Sequence, residues 1–268
     1  VTGRVGTEGH PSPLVTVSMP AYRCGATLRR AVDSVLGQTF RRLQLVVVND
    51  GDRRFPWHVL ADIDDPRLIR FDLTANRGRY FADAVTLAAA QTTWWTPHDA
   101  DDWSDPQRLA KLRSQSRSAD VVFGPVVVHD GDRVVVKTPR LDEASKQLRN
   151  LGNHVALWRA DALRSIGGPH PDYVVGFDTM MVGLAALHLR CRQIDEPLYH
   201  VDALPTSMSR SPRTGMRSSV RRQAHRQRRV LWAKAMRVPA DRWPDVLAPR
   251  QATATAVSAA ASKLRRLL

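Results

Sequence analysis

Trp94-Trp95-Thr96-Pro97-His98-Asp99-Ala100-Asp101-Asp102-Trp103 is an apolar run that ends in three carboxylates within four positions. Carboxylates this close repel one another, and a fold bears that best with a cation between them. Their hard oxygens suit Mg2+ or Mn2+, ions that keep several waters and also hold a substrate's phosphates. The same residues suit an acidic turn capping a helix from Ser104-Asp105-Pro106 onward, because Asp is a common cap and turn residue. The stretch bears on fold as well as chemistry. Thr92 to Pro97 reads as a strand, and the acidic group stands at its carboxyl end.

The upstream sequence repeats this arrangement. Leu14 to Pro20 reads as a strand stopped by its proline. Ala26 to Leu36 places Leu28, Ala31, Val32, Val35 and Leu36 at the spacing of a buried helical stripe. Leu43 to Val48 is continuously apolar, as in a parallel strand covered on both faces, and ends in the turn signal Asn49-Asp50-Gly51-Asp52. Arg67 to Leu73 follows as a strand and Arg79 to Ala90 as a helix. This alternation predicts an α/β fold with a largely parallel sheet and right-handed crossovers. In such sheets ligands bind beyond the carboxyl ends of the strands. Pro20-Ala21-Tyr22, Asn49-Asp50 and Asp99/Asp101 all fall at such ends.

The downstream pattern is less regular. Ala119 to Val128 and Arg133 to Val136 read as strands joined by the turn His129-Asp130-Gly131-Asp132. Asn153 to Trp158 reads as a short strand, Ala160 to Ser165 as a helical turn, Asp178 to Leu189 and Arg217 to Met236 as helices.

A chain of 268 residues with 43% hydrophobic content suits one large domain with an appendage. No run approaches the ~20 apolar residues of a membrane-spanning helix. Val1 to Pro13 reads as a flexible lead-in and not a signal peptide. Cys24 and Cys191 show neither metal-ligand spacing nor a disulfide framework, so a reducing, cytoplasmic setting is expected. The net charge of +14 resembles that of a nucleic-acid binder until it is mapped. Residues 1–205 carry 25 Lys and Arg against 24 Asp and Glu, whereas 206–268 carry 15 against 2. The excess therefore concerns the tail's partner and not the body's chemistry. A basic helix with one apolar side suits an anionic membrane surface, here the inner membrane face, or an acidic partner, or the protein's own body. No specific nucleic acid is expected.

Further motifs appear in order along the chain. Met19-Pro20-Ala21-Tyr22 ends the first strand, Leu36-Gly37-Gln38-Thr39-Phe40 ends the first helix, and Val47-Val48-Asn49-Asp50-Gly51-Asp52 forms the next turn. Asn76-Arg77-Gly78, Asp99-Ala100-Asp101-Asp102, Ile166-Gly167-Gly168, Gly176-Phe177-Asp178 and Leu198-Tyr199-His200 follow. Over Leu14 to Ser209 this ordered set resembles the family 2 inverting glycosyltransferases of GT-A fold. Three departures stand out. Asp83-Ala84 occupies the family's usual Arg-Asn, Phe177-Asp178 its Glu-Asp, and Leu204 the place of a frequent histidine. The phosphate contacts and the acceptor pocket are therefore expected to differ from the common form.

The resemblance implies a GT-A-type domain, a Rossmann-like, mostly parallel sheet flanked by helices. Residues 14–118 would form its nucleotide-sugar-binding half, 119–205 its acceptor-binding half, and 206–268 a basic C-terminal helical extension. It implies metal-dependent, inverting transfer of a sugar from a nucleotide-sugar donor, foremost a UDP- or TDP-sugar. The acceptor would be a hydroxyl or other nucleophile on a small molecule, glycan, peptide or lipid-linked sugar. Pro20, Ala21, Tyr22, Asp50, Arg77, Asp99 and Ala100 would hold the nucleotide, with Tyr22 offering a π-face and Asp50 an acceptor for a ring N–H. Asp101, helped by Asp99, would hold Mn2+ or Mg2+. Asp178 is the expected general base, in a partly apolar setting suited to that task, with Asp172 as fallback. Asp102 suits a ligand or a helix cap. His98 and His200 suit the metal site or a structural role, and Arg79, Arg210 and Arg213 a phosphate or solvent. Trp94, Trp95, Trp103 and Trp158 are candidates for an acceptor platform. Two rival readings are a nucleotidyltransferase that makes nucleotide sugars and a nucleic-acid binder acting through its basic tail.

Overall fold

The computed structural model describes residues 12–142, 147–149, 156–205 and 207–268. Most of the expected lead-in and the start of the strand expected over Asn153 to Trp158 lie outside them. The first half alternates β1 (Val15–Ala21), α1 (Leu28–Leu36), β2 (Leu43–Asn49), β3 (Leu68–Asp72), α2 (Arg79–Ala89) and β4 (Trp94–Pro97). Then come β5 (Trp103–Ser104), α3 (Arg108–Ser114), β6 (Val121–Phe123), and the hairpin of β7 (Val126–Asp130) and β8 (Arg133–Lys137). β9 (Arg140–Asp142) and β10 (Gln147–Arg149) form a separate antiparallel pair. β11 (Leu157–Arg159), α4 (Ala160–Ser165), α5 (Asp178–His188), β12 (Cys191–Gln193) and β13 (Tyr199–Asp202) complete the body. The extension is helical: α6 (Ser219–Ala235), α7 (Trp243–Val246) and α8 (Gln251–Arg265).

Seven strands form one sheet in the order β12-β6-β11-β4-β1-β2-β3. All its pairings are parallel except the two made by β11. Strand alternation sorts the core into layers. Val15, Val17, Met19, Leu45, Val47 and Trp94 face α1 and α3, while Val46 and Val48 face α2 and α8. Trp95 and Trp158 enter a third cluster with α5 and the extension. A second sheet, β5-β13-β7-β8, stands beside the acidic loop.

Two readings change. β1 runs through Pro20 to Ala21. β4 leaves β1 after the Ser18–Pro97 pair and the bond from His98 N–H to Ser18 O, so the N–H that proline lacks would have had no strand partner on that side. The strand expected over Ala119 to Val128 is two strands in different sheets. Gly124-Pro125 separates them, and a Cβ on Gly124 would come within 2.7 Å of the Ile194 side chain. The glycine admits the close crossing, and the proline removes a ladder donor.

The extension packs on the body. Trp243 is buried and donates from its indole to Ala235 O at 2.8 Å. Ala261 and Leu264 of α8 close a cluster with Val46, Val48, Phe81 and Val85. No helix among the described residues is long and apolar enough to cross a membrane. Leu264 is fully buried, so Leu264→Ala is expected to cost about 2–5 kcal/mol in urea unfolding. A loss below about 0.5 kcal/mol, the range of surface substitutions, would show that α8 is not docked.

Candidate active site

The ends of β1 and β2 meet the turn before α2. Asp50 donates its N–H to Ala21 O, and its carboxylate accepts from Arg77 N and Gly78 N, each at 2.8 Å. Burial pushes the Asp50 carboxyl up from its ordinary value, against the pull of these two amides. Gly51 has φ +73, and a Cβ there would strike the backbone of Ala75 at 2.2 Å, so the crossing needs glycine. Ala21 is buried below and Tyr22 is exposed above, with the Arg23 guanidinium 5.1 Å from its ring centre. Arg77 lies exposed across Phe81. A cavity of about 290 Å3 opens at the ends of β2 and β3, walled by Asn49, Asp52, Phe55, Trp57 and Asp72.

β4 delivers the acidic loop. Carboxylate oxygens of Asp99, Asp101 and Asp102 lie within 4.8 Å of one another. Burial, then the charge of Asp99, lifts Asp101 to about 6, and burial lifts Asp102 well above the usual range. Asp101 and Asp102 are thus pressed toward neutrality, and a hard divalent cation beside them would relieve both, so the donor set fits Mn2+ or Mg2+. Surrounding donors hold the loop's shape. Thr27 Oγ1 bonds Ala100 O, Arg30 Nη2 bonds both Asp101 O and Asp202 Oδ2, and Asp99 N–H donates to Tyr199 Oη. Asp102 is no helix cap. β5 follows it, and its Oδ1 accepts from Asp202 N at 3.1 Å. His98 is buried beneath the loop. Its Nδ1 donates to Asp99 O and its Nε2 accepts from Ser104 Oγ, a structural role.

Asp178 is the first residue of α5, with Phe177 and not itself at the cap. The Tyr80 hydroxyl accepts from Phe177 N and Asp178 N and donates to Asp178 Oδ1 at 3.2 Å. Asp172 is placed elsewhere. Its carboxylate accepts from Arg250 N at 2.8 Å and Thr253 Oγ1 at 2.6 Å, anchoring the start of α8, so the fallback base is a structural residue. His200 stacks on Trp103 and meets His129 Nε2 at 3.1 Å. Burial, then His129, lowers its pKa. Arg210 pairs with Asp130 on the hairpin turn and Arg213 is exposed. Trp94, Trp95 and Trp158 are core residues, which leaves Trp103, half-buried between Arg30 and His200, as the indole at the site's edge.

Sequence reasoning missed the bridge. Arg79 Nη1 lies 2.7 Å from Asp99 Oδ1, and its Nε lies 3.7 Å from Asp83 Oδ2. Ser18 Oγ donates to Asp83 Oδ1, and burial lifts Asp83 to about 7. Asp83 stands where the resemblance leads one to expect arginine, and the cation comes from one helical turn earlier. The Arg79/Asp83 spacing of four was the available signal. Cys24 and Cys191 are free, with thiols pushed up to about 11 by burial, which suits neither to nucleophilic work.

A family model described as glycosyl transferase family 2 matches residues 16–169. The succinoglycan biosynthesis protein ExoO of Rhizobium meliloti (strain 1021) is 33% identical over 107 residues, 40% of this chain and 31% of that protein. The Escherichia coli UDP-Glc:alpha-D-GlcNAc-diphosphoundecaprenol beta-1,3-glucosyltransferase WfaP is 27% identical over 90 residues, 34% of this chain and 36% of that protein. This chain thus spans about a third of the length of either. S. aureus TarS 1–349 in complex with UDP shares the fold at TM-score 0.61 and 18% identity, over 71% of this chain and 61% of that one. The mannosyltransferase PcManGT from Pyrobaculum calidifontis, in complex with GDP-Man and Mn2+, does so at TM-score 0.56 and 18% identity, over 96% and 75%.

The raised carboxyls set a pH dependence. Without a cation, Asp101 (about 6) and Asp83 (about 7) hold protons more tightly folded than unfolded, so their contribution to stability is full below their unfolded pKa and is lost as pH rises through 6 and 7. A cation held by the cluster would take the place of the Asp101 proton. In calorimetry, Mn2+ is expected to raise Tm at pH 7.5 and to raise it progressively less below pH 6. An equal increment at pH 5 and pH 8 would refute the assignment of Asp101.

Proposed function

The chain belongs to glycosyl transferase family 2, and from that premise we propose that it moves a sugar from a nucleoside-diphosphate sugar to an acceptor nucleophile, with inversion at the anomeric carbon. One observation carries the reading. Consecutive residues in the first turn of α2 tie the carboxylate cluster to the lone carboxylate opposite, Arg79 through Asp99 and Tyr80 through Asp178. Support comes from the fold neighbours, whose complexes contain UDP in one case and GDP-Man with Mn2+ in the other.

In this reading the first half, 14–118, binds the donor. Tyr22 stacks on the base, the Asp50 turn places Arg77 and Gly78 beside the ribose, and Pro20, Ala21 and Ala100 form the floor. Asp101 and Asp99, with Asp102 behind them, would hold Mn2+ or Mg2+. When bound, the ion offsets the negative charge of the departing diphosphate, an effect worth several kcal/mol in such reactions. The half 119–205 presents the acceptor. Asp178 takes the acceptor's proton while the acceptor oxygen bonds to the anomeric carbon and the bond to the diphosphate breaks on the opposite face. Displacement in one step inverts the centre and forms no glycosyl-enzyme. Tyr80 holds one carboxylate oxygen of Asp178, so the other is aimed at the acceptor.

Thermal unfolding with UDP, TDP, GDP and ADP, each with and without Mn2+, tests the donor site. A ligand at about a hundred times its Kd adds ~2.7 kcal/mol. One nucleotide is expected to stabilise the protein in a metal-dependent way that Asp101→Ala abolishes. The absence of a shift with any nucleotide would sink the proposal. Asp178→Asn is expected to lower kcat by about a hundredfold or more with Tm unchanged. Tyr80→Phe, which keeps the ring and removes the hydroxyl, is expected to lower kcat about tenfold, the value of one ~1.4 kcal/mol interaction, with donor KM unchanged. NMR of the product's anomeric proton decides inversion.

A further inference from the structure

We propose that the outward face of α6 is a docking surface for an anionic lipid bilayer. The helix has two unlike sides. Ala224 and Ala235 are buried, Leu231 and Trp232 pack against the core, and a Cβ on Gly183 of α5 would meet the Trp232 ring at 2.9 Å. On the other side Arg222, Arg226, Arg229 and Ala233 stand one above another at helical spacing, with Lys234 beside them and Arg237 just past the end, all exposed. Arg226, Arg229, Lys234 and Arg237 make no side-chain hydrogen bond or ion pair with any described residue, and Arg222 reaches only the Arg217 carbonyl. The extension's only acidic residues are Asp241 and Asp245, and Asp245 is taken by Arg242.

These cations lie on a straight rod on the order of 25 Å long. A small ligand would engage one or two of them. An extended negative surface engages them together and is favoured by the like-charge repulsion it relieves. The exposed aliphatic groups choose the bilayer over other polyanions. Val230 (58% exposed) stands within the stripe, Met236 (41%) ends it and Met216 (69%) precedes it, side chains that gain by entering a headgroup layer.

The placement bears on the site. Arg228 Nη1 donates to Gly176 O at 3.0 Å, two residues before Asp178, and Trp232 covers Gly183 farther along α5. The two helices therefore run the same way, and the first turns of α6 extend past the α5 N-terminus. Docking brings that end of the protein to the membrane. The inference stands apart from the proposed transferase activity, because its test reads binding alone.

The test is co-sedimentation of the full chain with phosphatidylcholine vesicles, with and without phosphatidylglycerol, at physiological salt. Binding is expected only with the anionic lipid. Arg222→Gln/Arg226→Gln/Arg229→Gln is expected to weaken it roughly a hundredfold, the effect of three basic residues at such a surface. The control Arg117→Gln/Arg192→Gln/Lys263→Gln removes the same charge from exposed sites elsewhere and is expected to bind like wild type. Equal loss in both triples, undiminished binding by the α6 triple, or no vesicle binding would overturn the proposal. So would tighter, α6-dependent binding to RNA that vesicles fail to displace, which would assign the face to nucleic acid.

Discussion

Asp99, Asp101 and Asp102 repel one another across less than 5 Å, and the structure around β4 holds them together. Backbone amides and hydroxyls among the surrounding donors fix position but carry no formal charge. Asp202 N serves Asp102, Tyr199 Oη anchors the Asp99 backbone, and Thr27 holds Ala100 O. Arg79 is a cation that reaches the cluster, and it is shared with Asp83. Arg30 is spent on Asp202 and a backbone carbonyl. Two carboxylates, Asp83 and Asp99, thus meet at one arginine. A divalent ion beside the cluster would relieve the repulsion among these carboxylates.

The first turn of α2 carries this strain to the rest of the site. Its position is set from below by the Asp50 carboxylate, which grips the amides of Arg77 and Gly78, and Gly78 supplies the positive φ that starts the helix. From there Arg79 and Tyr80 point to opposite partners. A shift of this turn would disturb the Asp50 turn, the acidic cluster and the Asp178 carboxylate at once. Such coupling explains why a buried Asp83, costly by itself, persists: it holds the guanidinium that holds Asp99.

The extension shows how one segment serves two solvents. Its inward residues, Trp243, Leu247, Ala261 and Leu264, extend the core. Arg222, Arg226 and Arg229 stay outside, because a guanidinium is costly to bury without a partner, whereas Arg228 reaches inward to the Gly176 carbonyl. Asp172 is a carboxylate that the body offers, and α8 begins on it.

Periodicity in the sequence was enough to determine the parallel sheet, the buried stripe of α1 and the doubly covered β2, because these depend on local spacing and on which side chains avoid water. The crowding of carboxylates at Asp99–Asp102 was legible for the same reason: their repulsion is set by neighbours in the chain. Tertiary structure alone decided the partners. Asp172 and Asp178 lie six residues apart and look alike in sequence, yet one meets a helix N-terminus from residue 250 onward and the other a tyrosine from residue 80. Pairing Arg79 with Asp99, sending β6 and β7 to different sheets, and burying Trp94, Trp95 and Trp158 all depend on groups brought together across tens of residues. Local sequence sets what a side chain can do, and long-range packing decides what it meets.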